Sequence, residues 1–105
     1  MPNFLVTYHG GGPMPSSPEA VEQMKAAFGA WVGSAGPALV DPGAPLAAAK
    51  TVSSGSVRSG HADGPAEGYS VLTAASIDDA VKLVESHPFL KRGGTLEVSE
   101  ALSLD

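Results

Sequence analysis

The chain contains no cysteine. That excludes a disulfide framework, a thiol nucleophile and any zinc or iron–sulfur centre held by thiolates, and it fits a reducing cytoplasm. Charge is sparse too, at 16% of residues against about 25% in ordinary soluble domains. The surface must therefore lean on small and apolar groups or be covered by a partner, which points to self-association. Cations are few and scattered: Lys25, Lys50, Arg58, Lys82, Lys91 and Arg92 stand against 11 acidic residues, for a net charge of −5. Counterion release needs clustered cations, so nucleic acid is excluded as a partner. No stretch approaches the roughly 20 apolar residues needed to cross a bilayer, and Met1-Pro2-Asn3-Phe4 lacks the basic-then-apolar pattern of an export leader. These absences together predict a soluble, cytoplasmic protein without membrane contact.

What is present suits one domain spanning residues 1–105. At 43% hydrophobic the chain can build a core, although at this size only about two-thirds of the unfolded surface is buried on folding. Asn3 to His9 is rich in β-branched and aromatic residues and stops at Gly10-Gly11-Gly12, the pattern of a strand with Phe4, Val6 and Tyr8 on one face and Leu5, Thr7 and His9 on the other. Ser17 caps a helix with Pro18 at its first position, and Val21, Met24, Phe28, Trp31 and Val32 share one helical face until Gly33 to Pro37 ends it. That spacing makes Phe28 and Trp31 core residues rather than a stacking platform.

Between Ala38 and Arg58, Ala-Leu-Val and Lys50 to Ser53 read as short strands among turn residues, a loose hairpin or excursion. Glu67 to Ala74 is a strand for the sheet centre, with Tyr69 and Val71 opposite Leu72 and Ala74. Ser76-Ile77-Asp78-Asp79 starts a second helix closed by His87-Pro88, and Thr95 to Ser99 is a last strand with Leu96 and Val98 inward. The order β-α-β-β-α-β is the split βαβ arrangement, an α+β ferredoxin-like fold with an antiparallel sheet and both helices on one face. Leu5 and Leu72 are expected on the uncovered face, and a second copy of the chain would bury them, giving a homodimer of the dimeric α/β barrel type.

Chemistry-bearing residues are few. His9 and the triple glycine suggest an oxyanion loop, but no G-x-S-x-G elbow accompanies them, and Pro15 breaks the G-x-G-x-x-G dinucleotide pattern. In His61-Ala62-Asp63-Gly64-Pro65 a histidine and a carboxylate two residues apart, near Arg58, suit proton sharing or anion binding, while Asp-Gly-Pro is also an ordinary turn. The site reading of that loop gains if Tyr69 faces the same pocket. His87, at a helix C-terminus, is explained by the helix dipole alone. No H-x-H or H-E-x-x-H spacing joins His9, His61 and His87, so neither a metal nor a cofactor is expected.

Asp63-Gly64-Pro65 before a Gly-Tyr strand, then Ser76-Ile77-Asp78-Asp79-Ala80, His87-Pro88 and Gly93-Gly94-Thr95-Leu96-Glu97-Val98, together resemble the YCII-related proteins, especially the subgroup marked by a D-G-P-F motif. The similarity covers nearly the whole chain. It implies a dimeric ferredoxin-like α/β barrel. Most members have no assigned activity, a few act on chlorinated hydroxyquinol-type rings, and a His/Asp pair is proposed as catalytic. This chain differs from the family pattern at Lys25, near the family's first-helix histidine, at His87, where the aspartate of D-P-[YF] falls, and at Ala66 in place of the motif phenylalanine. Asp63 with Gly64 and Pro65 carries over. The expectation is a small-molecule-binding homodimer that works on a small aromatic or anionic substrate by cofactor-free general acid/base chemistry, with Asp63 and one of His9, His61 or His87 handling the proton. The alternative is a non-catalytic dimeric ligand-binding or structural module.

Overall fold

The computed structural model describes residues 1–12, 15–61 and 64–104. The described elements run β1 (Asn3–His9), α1 (Pro18–Ala35), β2 (Leu39–Pro45), β3 (Lys50–Ser53), β4 (Ser56–Ser59), β5 (Gly68–Thr73), α2 (Ile77–Val84) and β6 (Thr95–Ala101), with 3₁₀ turns at Gly36–Ala38 and Pro88–Arg92. Both helices start as their sequences dictate. Ser17 accepts a hydrogen bond from the Ala20 amide ahead of Pro18, and Ser76 accepts one from the Asp79 amide, each satisfying a donor that the first turn leaves open.

Four strands form an antiparallel sheet in the order β2-β5-β1-β6. Leaving β3 and β4 aside, the first and last strands lie side by side and the two helices cross between pairs, which is the expected ferredoxin-like α+β fold. The excursion expected between Ala38 and Arg58 resolves into two parts. Leu39–Pro45 joins the sheet as its edge, with bulges on either side of Asp41, whereas Lys50–Ser53 folds back onto Ser56–Ser59 as a separate two-stranded hairpin. Gly55, at φ 80°, supplies the left-handed turn that such a short loop requires.

Register decides which residues form the core. Phe4 pairs with Leu72 and Val6 with Ser70 on β5 and with Val98 on β6, and cross-strand partners share a face. Phe4, Val6 and Leu72 are fully buried on the helix-covered side, against Trp31 of α1 and Ala80 and Val84 of α2. Leu72 therefore lies under the helices, not on the uncovered face as expected. On that face Leu5 pairs with Val71 and Thr7 with Tyr69. No described helix is long and apolar enough to cross a membrane.

Candidate functional site

Where β1 meets the 3₁₀ turn after α2, a row of rings crosses the core. His87, only 3% exposed, has its ring centre 4.4 Å from that of Trp31, 4.9 Å from that of Tyr8 and 5.8 Å from that of Phe28. Its Nδ1 accepts the Phe89 amide at 3.0 Å. That nitrogen therefore carries no proton, and Nε2, which does, donates to the Tyr8 hydroxyl at 3.0 Å. The Tyr8 hydroxyl donates to Ser70 Oγ, and Ser70 donates to the Pro42 carbonyl at 2.8 Å. The four groups make a one-way chain in which each hydroxyl both accepts and donates.

Burial sets the charge state of this chain. Desolvation lowers the His87 pKa to about 4. It raises that of Tyr8, against a smaller lowering by the Ser70 hydrogen bond. Both groups are thus neutral near pH 7. The dipole account of His87 is replaced by this one: the residue stands beyond the end of α2, uncharged, and caps the following turn through Nδ1.

Tyr8 also lines a cavity of about 640 Å³, a size suited to a small organic ligand. The first half of α1 supplies one wall with Val21, Met24, Lys25 and Phe28, and the β2 edge from Pro42 to Leu46 supplies another. Phe89 closes one end. Its ring packs on Tyr8, with 5.2 Å between centres, and sits against the bare backbone of Gly11 and Gly94, where a side chain would collide with it. The Arg92 guanidinium lies 5.2 Å over the same ring. The lining is apolar and aromatic, with Lys25, Glu67 and Arg92 as its charged members.

The sequence-predicted residues are dispersed about this cavity. His87 lies beneath it, in contact with Tyr8. His9 lies on the other face of the sheet, bonded to Thr7 Oγ1 at 2.8 Å and through Nδ1 to the Pro65 carbonyl at 3.0 Å. The end of β1 and the Gly64-Pro65 turn are therefore neighbours. His61 is exposed, and Asp63 lies outside the described residues. Tyr69 is among the residues that line the cavity beside Tyr8, although as the partner of Thr7 it alternates to the opposite sheet face from Ser70 and the Tyr8 hydroxyl. Among the described residues no three histidine or acidic side chains are grouped as metal ligands. The Gly11 amide, one candidate oxyanion donor, is bonded to the Glu67 carboxylate at 3.0 and 3.2 Å.

Sequence reasoning passed over Tyr8, Ser70 and Phe89. Alternation assigned Tyr8 to the core face, but nothing local showed that a serine sixty-two residues away and a histidine seventy-nine away would meet its hydroxyl.

No protein-family model and no curated protein matches the chain. A solved structure does: the 5-chloro-2-hydroxyhydroquinone dehydrochlorinase TftG from Burkholderia phenoliruptrix AC1100, in complex with 2,5-dihydroxybenzoquinone, superposes with a TM-score of 0.51 at 21% identity over 90% of each chain. At that identity the likeness shows the fold. It is the ferredoxin-like α+β arrangement that the sequence led one to expect.

Proposed function

We propose that the protein binds a small, planar aromatic molecule in the cavity between α1 and the sheet and moves a proton on it without a cofactor. The observation that carries this reading is the pairing of an apolar, ring-lined cavity with a buried, uncharged Tyr8–His87 pair at its floor. A neutral tyrosine whose hydroxyl turns from Ser70 to the ligand offers its proton to a ring oxygen, and the His87 Nε2–H behind it, which donates to the tyrosine oxygen, stabilises the negative charge that develops there as the proton moves and later returns. TftG, which shares the fold, was solved with an oxygenated six-membered ring bound, and the resemblance to the YCII-related family adds the same class of ligand. In this reading His87 is the histidine of the pair and supports the proton transfer through Tyr8, Asp63 of the D-G-P turn is the carboxylate of the pair, and His9 and His61 are the other candidates for the histidine's role. The chain pairs with a second copy through the uncovered sheet face carrying Leu5 and Val71.

A non-catalytic binding module is the second reading. It is favoured by the self-contained chain from His87 to Pro42, which needs no ligand to complete it. Proton exchange separates the two. With 2,5-dihydroxybenzoquinone as the probe in D₂O, the catalytic reading requires the protein to accelerate loss of the ring C–H signal in the proton spectrum. His87→Gln and Asp63→Asn should each remove the acceleration while leaving binding measurable. Saturable binding with no acceleration by the wild-type protein would establish the module instead.

A further inference from the structure

The β3–β4 hairpin has an arrangement that the cavity does not account for. Lys50 pairs with Ser59, Thr51 with Arg58, Val52 with Val57 and Ser53 with Ser56, and cross-strand partners share a face. One face of the ribbon is thus Lys50, Val52, Val57 and Ser59. Its two valines are 74% and 64% exposed. Isolated two-stranded hairpins are marginal in water, and this one is tied at its root by Gly60 to Ala49 and by Thr51 Oγ1 to the Gly60 carbonyl. The molecule extends 45 × 44 × 19 Å with a radius of gyration of 15.1 Å, against about 13 Å for a compact chain of this length. An arm stands out from a thin two-layer body.

Charge divides along the same line. Residues 46–61 hold Lys50 and Arg58 and no acidic residue, while all 11 acids lie elsewhere in the chain. The uncovered sheet face shows the reverse pattern. Val71 lies between Asp41 of β2 and Leu5 of β1, and Tyr69 and Thr7 lead to Glu97 of β6, so an apolar strip is bordered by an acid at each edge. Four strands of about seven residues make a face of only about 20 × 24 Å, short of the roughly 800 Å² per partner that a stable interface buries.

We propose that each β3–β4 hairpin is a clamp that closes on the sheet face of a second copy of this chain, Val52 and Val57 covering the Leu5–Val71 strip and Lys50, on the same face of the ribbon, meeting an acid at its border. Two-fold symmetry supplies one arm from each protomer, so the contact is made twice. The proposal rests on the self-pairing inferred above and adds the part of the chain that holds it. Light scattering across a dilution series tests both. The wild-type protein should give twice the 10.5 kDa chain mass, with dissociation favoured by added salt. Val52→Asp with Val57→Asp should weaken the dimer at least about tenfold without changing the Trp31 fluorescence that reports the body's fold. Should that variant fail to fold, Lys50→Glu carries the same test, and adding Asp41→Lys with Glu97→Lys should restore pairing. A wild-type dimer that the arm variants leave equally tight would overturn the clamp and keep the self-pairing. A wild-type monomer at micromolar concentration would overturn both.

Discussion

His87 shows how one side chain ties stability to pH. The folded protein holds its imidazole uncharged down to about pH 4, whereas the unfolded chain takes up a proton near 6.5. Between those values the unfolded state binds more protons, so stability is complete above about pH 6.5 and falls as the pH drops toward 4, by on the order of 3 kcal/mol. Thermal melts from pH 7 to pH 4 should show this slope, and it should shrink in His87→Gln; an unchanged slope in the variant would place the dependence elsewhere. The residue also marks a limit of sequence reading. His87-Pro88 correctly ended α2, because the residue before a proline leaves the helical region. The chemistry around the ring was not visible, since it arises from Tyr8, Trp31 and Phe28 on two distant elements. Asp63 was legible both as part of a D-G-P turn and as a candidate carboxylate for proton handling, and it lies outside the described residues.

The two helices differ at the scale of the element. α2 packs Ala80 and Val84 directly into the core beside Phe4 and Leu72. α1 buries only Trp31 and Ala35, near its end, and its first half forms a cavity wall instead of packing on the sheet. With Gly29 and Gly33 in its interior, each costing about 1 kcal/mol relative to alanine, the start of α1 has little to hold it beyond the Ser17 cap. Amide exchange should therefore run faster at residues 21–28 than at residues 31–35 or in β1, and a bound ring should slow it selectively there; uniform protection along α1 would contradict this picture. The helical spacing of Val21, Met24, Phe28 and Trp31 identified the face correctly. Periodicity cannot tell a face that packs from one that lines a hollow, because both require the same residues. The same holds for Leu39–Pro45, whose two prolines and glycine read as loop, although as an edge strand it can spare the missing donors.

For the whole molecule, fold class was legible because strand, helix and turn signals agreed along the chain. Only the assignment of Leu72 to the uncovered face failed, and it failed on register, which no single strand reveals. The resulting body is one sheet under two helices with a hollow beneath α1 and an arm beside it, and the account gives the hollow to a ligand and the arm to a partner. The central claim is the ligand. The most direct test follows backbone and indole amide signals of the ¹⁵N-labelled protein during titration with 2,5-dihydroxybenzoquinone. The account predicts saturable shifts at the Trp31 indole, Phe28, Gly12 and Gly43, with Val52 and Val57 unmoved, and weaker binding in Tyr8→Phe. Shifts that never saturate, or that fall on the hairpin and the uncovered sheet face, would contradict it.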